Sequence, residues 1–139
     1  MTTKQHIFIN KEDHKRLESL FVNDMLHGLC DLPHLRSLQK EIETASIVAP
    51  EEVPTDVVTV DSTVRLCDSR SSYEDTYTLV FPEVAKLGCD YLSVLSPIGT
   101  AIFGYRVGDH VSWPVPGGIA VFCIEELVFQ PERDGVISN

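Results

Sequence analysis

The chain is poor in basic residues: 11 Lys and Arg stand against 21 Asp and Glu, a formal charge of −10 over 139 residues. The excess is uneven, −3 up to Pro54 and −7 beyond it. Such a surface repels phosphate backbones, and no basic stripe interrupts it, so direct nucleic-acid binding is not expected. Acidity of this kind steers a protein toward basic protein surfaces, although it also serves plain solubility. Long apolar runs are missing as well. No stretch of roughly eighteen apolar residues exists to span a membrane. The start, MTTKQHIFINKEDHK, has no apolar segment of the signal-peptide kind. A cytoplasmic location is therefore the default expectation, with no membrane partner.

Cysteine is sparse and scattered. Cys30, Cys67, Cys89 and Cys123 form no C-x-x-C pair and have no histidine at metal spacing. They read as free thiols packed as small hydrophobes, and neither a structural metal nor a cofactor is expected. The signatures of common enzymes are absent too: no G-x-x-x-x-G-K-[ST] loop, no G-x-S-x-G elbow and no H-E-x-x-H helix. His6, His14, His27, His34 and His110 read as exposed or loop residues. No catalytic residue is assigned. Trp113 reads more simply as a sheet aromatic than as a pocket wall.

What is present is local structural punctuation. After an extended lead-in at Ile7 to Ile9, Asn10 is a good N-cap, with Glu12 and Asp13 in the first turn, where the helix dipole favours carboxylates. Leu17, Leu20, Phe21, Met25 and Leu29 keep a helical period and predict a helix from Lys11 to about His27. Gly28 to Pro33 is long enough only for a turn. Leu35, Leu38, Ile42 and Ala45 form the narrow seam of a second helix, from about Pro33 to Val48, antiparallel to the first in the manner of a short coiled coil. Two helices with one thin seam are marginal alone, so the hairpin must lean on the remainder of the chain or on a partner. The fold class is α+β: a hairpin over 1–49, a proline hinge over 50–54, a β-rich domain over 55–131 and a frayed tail over 132–139.

Within the β-rich part, Thr55–Asp61, Thr63–Asp68 and Thr76–Phe81 read as strands, and Pro82–Gly88 as a loop or one helical turn. Tyr91–Leu95 reads as another short strand. Ser96-Pro97 is a helix start, because the hydroxyl accepts from a free N–H and proline gives up only a donor that was unpaired anyway. Ile98, Ala101 and Ile102 give that short helix one apolar side. Gly108-Asp109 makes a turn, and Pro116-Gly117-Gly118 closes a hairpin between a strand through Val111, Trp113 and Val115 and a long returning strand, Ile119–Phe129.

The stretch SPIGTAIFGYRVGD, followed by the PGG turn, resembles the C-terminal domain of the bacterial Gre transcript-cleavage factors from about Val53 to Pro131. The resemblance implies an FKBP-like domain, a twisted antiparallel sheet with one short helix across it, and RNA polymerase as the partner, gripped at the rim of its secondary channel. It places partner contacts on Ser96, Pro97 and Ile98; Leu95 stands where Gre proteins carry a polar residue. Gre factors also have a longer hairpin whose acidic tip helps hold a catalytic Mg²⁺. Asp24 and Asp31 lie near the turn here, but about sixteen helical residues span only about 24 Å, and the Gre tip motif is absent from GLCDLP. Asp31 reads as an aid to capping the second helix and Asp24 as a solvated charge. The resemblance thus implies a non-catalytic transcription regulator that competes with Gre factors, ahead of two alternatives: a cleavage factor, and a prolyl isomerase of the FKBP type.

Overall fold

The computed structural model describes residues 6–22, 33–71, 73–88 and 90–134, with the backbone alone at 113–115. The chain opens with a three-residue strand, β1 (Phe8–Asn10), that runs directly into helix α1 (Lys11–Val22). Asn10 caps it: its side-chain oxygen accepts from Asp13 N at 2.9 Å. Helix α2 (Pro33–Thr44) follows, and buries Leu35, Leu38 and Ile42 as the seam predicts. It stops four residues earlier than the periodicity suggests. Ser46–Val48 instead forms β2, which pairs in parallel with β1 in the register Ile9↔Ile47. The β-branched pair Ile47-Val48 suits an extended backbone better than a helix end, and Ser46 N donates to Ile7 O at 2.9 Å. The reach of α1 past Val22 and the turn at Gly28–Pro33, with Asp24 and Asp31, fall largely or wholly outside the described residues.

The proline segment contains a single 3₁₀ turn, Pro50–Glu52. Beyond it lies a five-stranded sheet ordered β5-β4-β3-β7-β6, made of β3 (Thr63–Asp68), β4 (Glu74–Val80), β5 (Tyr91–Ser93), β6 (His110–Val115) and β7 (Gly118–Phe129). Most pairs are antiparallel, but β4 and β5 run parallel with Thr78 opposite Tyr91. The one-turn helix α3 (Pro82–Ala85) lies on the connection between them. Helix α4 (Pro97–Ile102) follows β5, as the Ser-Pro start predicts. Strands β6 and β7 meet at Val115↔Gly118, so only Pro116 and Gly117 join them; Gly117 adopts φ 91°, which glycine reaches without strain.

Two sequence readings need correction. Thr55–Asp61 is not a strand. Val57, Val58 and Val60 are all buried, which no two-faced strand allows, and the backbone turns at Asp61 with φ 72°. The segment caps one end of the sheet, with Val58 N bonded to Tyr105 O and Gly104 N to Val58 O, both at 2.9 Å. The tail is not frayed at its start either. Gln130 is fully buried, its amide donating to Pro54 O at 3.0 Å and Val57 O at 2.7 Å, and helix α5 (Pro131–Asp134) follows. A glutamine that satisfies two loop carbonyls fixes the strand exit, a role its polarity conceals in the sequence.

One apolar core joins the helices to the sheet. Leu17, Leu38 and Ile42 share it with Val58, Val64, Leu79, Ile102 and Ile124. The helical pair does lean on the β-rich part, as its thin seam requires. His14 and His34 are partly buried in these contacts: His14 Nε2 on α1 donates to Ile42 O on α2 at 3.2 Å, and His34 Nε2 on α2 donates to Leu95 O in the β-rich part at 3.1 Å. No helix among the described residues is long and apolar enough to cross a membrane.

Candidate functional site

The loop that enters α4 is held by hydrogen bonds between serine and threonine hydroxyls and the backbone. Ser96 Oγ accepts from Gly99 N at 3.0 Å and donates to Ser93 O at 2.7 Å, while Thr100 Oγ1 donates to Val94 O at 2.8 Å. Leu95 N donates to Ser93 Oγ at 3.1 Å. The strand end, the cap and the first helical turn therefore form one rigid corner. Pro97 is exposed at its apex, with Leu95, Ser96 and Ile98 half-buried around it. The hydroxyl of Ser96 is engaged within the corner on both its donor and acceptor sides, so its task is to hold the corner in shape. Pro97 and the rim of Ile98 are what the corner leaves accessible.

Gly99, which in the sequence reads only as a residue that keeps the helix short, carries a tighter constraint in this corner. A Cβ built on it would lie 2.0 Å from the Ser93 carbonyl oxygen. Helix α4 crosses the end of β5 so closely that only glycine fits. The S-P-x-G spacing was a possible signal, since it places a glycine one turn after the cap.

A second cluster joins the two ends of the chain. Glu132 on α5 accepts from Asn10 Nδ2 at 2.6 Å and from Thr59 Oγ1 at 2.9 Å, which ties the start of α1 to the edge of the β-rich part. Beside it is a hollow of about 410 Å³ whose lining includes Asn10, Asp13, Arg16, Asp61, Phe129 and Glu132. Burial, with the charges of Glu132 and Asp61 against it, pushes the Asp13 carboxyl up to about 7. Burial also raises Asp61, opposed by Arg16. The helix dipole favours a carboxylate in a first turn by only about 0.3–1 kcal/mol, so at Asp13 desolvation wins and the favourable reading of that carboxylate is reversed. Arg16 lies over the Phe81 ring at 3.8 Å and reaches Glu83 at 3.6 Å.

A helical pair that leans on a mixed sheet, itself crossed by a short Ser-Pro-capped helix, is the architecture of a transcription elongation factor. Residues 53–127 match the family described as transcription elongation factor, GreA/GreB, C-term, and the chain belongs to that family. Within it, the chain is 37% identical over 130 residues to the regulator of nucleoside diphosphate kinase of Escherichia coli (strain K12), a match covering 93% of both chains. It is 38% identical over 95 residues to transcription elongation factor GreA of Chlorobium phaeobacteroides, covering 68% of this chain and 60% of that one. The solved structure of a prokaryotic transcription elongation factor GreA/GreB from Nitrosomonas europaea superposes with a TM-score of 0.76 at 35% identity, covering 91% of this chain and all of that one. The chain is a homologue of that regulator within a family of elongation factors.

Proposed function

We propose that the protein is a non-catalytic transcription regulator that binds RNA polymerase near the secondary channel and excludes Gre factors from it. The β-rich part acts as an FKBP-like anchor, and α1 with α2 forms a short antiparallel coiled coil that occupies the channel mouth. The observation that carries this reading is the contrast in coverage. The match to the regulator runs through 93% of both chains, whereas the match to GreA leaves 40% of that factor without a counterpart. The reach of the helices agrees. Lys11 to Thr44 is 34 residues, and a helical hairpin made from all of them extends at most about 25 Å.

In this reading the corner at Ser96–Ile98 is the grip. Ser96 holds the corner in shape, and Pro97 and Ile98 touch the polymerase. Pro97→Asp tests it: a carboxylate placed in a desolvated contact is expected to weaken binding to core polymerase at least about tenfold. The circular dichroism and melting temperature should stay unchanged, because Pro97 is exposed. Undiminished binding by a folded Pro97→Asp protein would move the contact elsewhere.

A further inference from the structure

The row of side chains across the outer face of the sheet is a second site of a different kind. Strand β3 buries Val64 and Leu66 and turns Thr63, Arg65 and Cys67 outward. On its two sides the register sets Glu74 of β4 and Cys123 of β7 directly opposite Cys67, and His110 of β6 opposite Cys123. Directly opposed residues share a face, so Glu74, Cys67, Cys123 and His110 form one line over four strands.

A bulge completes the group. Arg65 pairs with Glu126, but Leu66 pairs with Ile124, which leaves Glu125 as the extra residue in β7. Glu125 and Glu126 are consequently both exposed, while Ile124 and Leu127 on either side are buried. The Cys67 sulfur and one carboxylate oxygen each of Glu74 and Glu125 lie within 4.8 Å of one another. Arg65 does not neutralise them all: its Nη2 reaches Glu126 at 2.7 Å, whereas its Nε stays 3.9 Å from both Glu74 and Glu125. Three carboxylates around one guanidinium leave two negative charges uncompensated. Glu74 also borders an open polar hollow of about 470 Å³ that it shares with Arg65, Asp75, Thr76, Thr78 and Asp90, which keeps that side of the group open to water.

We infer that Cys67, Glu74 and Glu125 bind a divalent transition-metal ion of the zinc class. A dication offsets the two uncompensated carboxylate charges, and with the Cys67 thiolate the occupied group keeps one net negative charge. The mixed sulfur and oxygen donors favour zinc or cobalt over magnesium and calcium, which want oxygen alone. Bond lengths of about 2.0–2.3 Å require the three donor atoms to close by only a short side-chain movement. On binding, the S–H bond of Cys67 breaks, a metal–sulfur bond forms, and the proton passes to solvent. The absence of a metal motif along the chain is no obstacle, because these ligands are brought together by strand register and not by sequence spacing. Such an ion staples β4, β3 and β7 on the face away from the helices.

The test is titration of the reduced, metal-stripped full chain with Co²⁺. One equivalent is expected to produce a thiolate-to-cobalt charge-transfer band that one equivalent of Zn²⁺ then bleaches. Cys67→Ser, nearly isosteric, should abolish the band with the melting temperature of the metal-free protein unchanged. Glu125→Gln should weaken binding at least about tenfold, the smaller end of what even an outer-shell change costs a metal site. Lack of the band in the parent protein, or its persistence in Cys67→Ser, overturns the inference.

Discussion

Gly99→Ala is expected to lower the stability of the protein by about 3 kcal/mol. The added methyl would stand 2.0 Å from the Ser93 carbonyl oxygen and 2.9 Å from both the Ser93 carbonyl carbon and Ser96 Oγ. Backbone cannot swing aside as a side-chain tip does, so α4 must move away from β5. That movement stretches the Ser96 Oγ to Gly99 N cap and the Thr100 Oγ1 to Val94 O bond. Forced overpacking costs about 1–3 kcal/mol and a lost N-cap about 1 kcal/mol. For a chain of this size the melting temperature should fall by about 10 °C. Binding to polymerase should fall with it, because the corner that carries Pro97 is displaced. A drop of less than about 3 °C in thermal denaturation would mean that the close approach of α4 to β5 is not as described. Pro97→Asp is the complementary case, in which binding goes and stability stays.

The second large effect has the opposite sign. Asp13→Asn is expected to stabilise the protein above neutrality by roughly 2–4 kcal/mol, at about 1.4 kcal/mol for each unit by which the carboxyl is raised. The Asp13 carboxyl, ordinarily near 3.8, is raised to about 7 in the fold, first by burial and then by Glu132 and Asp61. A raised value means that the folded state holds the proton more tightly than the unfolded one. The stability this contributes is complete below about 4 and is lost as pH rises through about 7. The parent protein should therefore weaken progressively from about pH 4 to about pH 7, as Asp13 ionises in the fold against Glu132 on α5 and Asp61 before β3, with Arg16 as the compensating cation in reach. Asparagine at this position cannot ionise and can still accept from Asn10. Urea denaturation of both proteins at a series of pH values checks it. Parallel curves for the two would show that Asp13 is not the group responsible. Since the same cluster ties α1 to α5, α1 should be held more firmly below neutrality than above it.

What the sequence makes legible is chemistry closed within a few residues. Asn10 and Ser96 cap helices because each hydroxyl or amide finds its N–H three residues on. Gly117 turns a hairpin by its own backbone freedom, and Leu35, Leu38 and Ile42 show their shared face through spacing alone. What stays hidden depends on partners far along the chain. Nothing near Asn10 announces Glu132, 122 residues away. Ile47 and Val48 look like the end of a helix until β1 is beside them. The valines of Thr55–Asp61 suggest a strand, because composition does not reveal that a segment is buried on every side. Gln130 and α5 look like tail for want of the carbonyls of Pro54 and Val57. Of the expected contact residues, Ser96, Pro97 and Ile98 come together in one corner. The cysteines are the sharpest case: 56 positions separate Cys67 from Cys123, yet strand register sets them face to face.

A regulator that occupies the polymerase channel without performing its chemistry is tested by adding the purified protein to a backtracked elongation complex, alone and together with a Gre factor, and following the length of the transcript. The protein alone is expected to leave the RNA intact, and increasing amounts of it to suppress the cleavage stimulated by the Gre factor. Shortening of the transcript by the protein alone, or Gre-stimulated cleavage that proceeds unchanged at saturating amounts of it, would rule out a non-catalytic competitor.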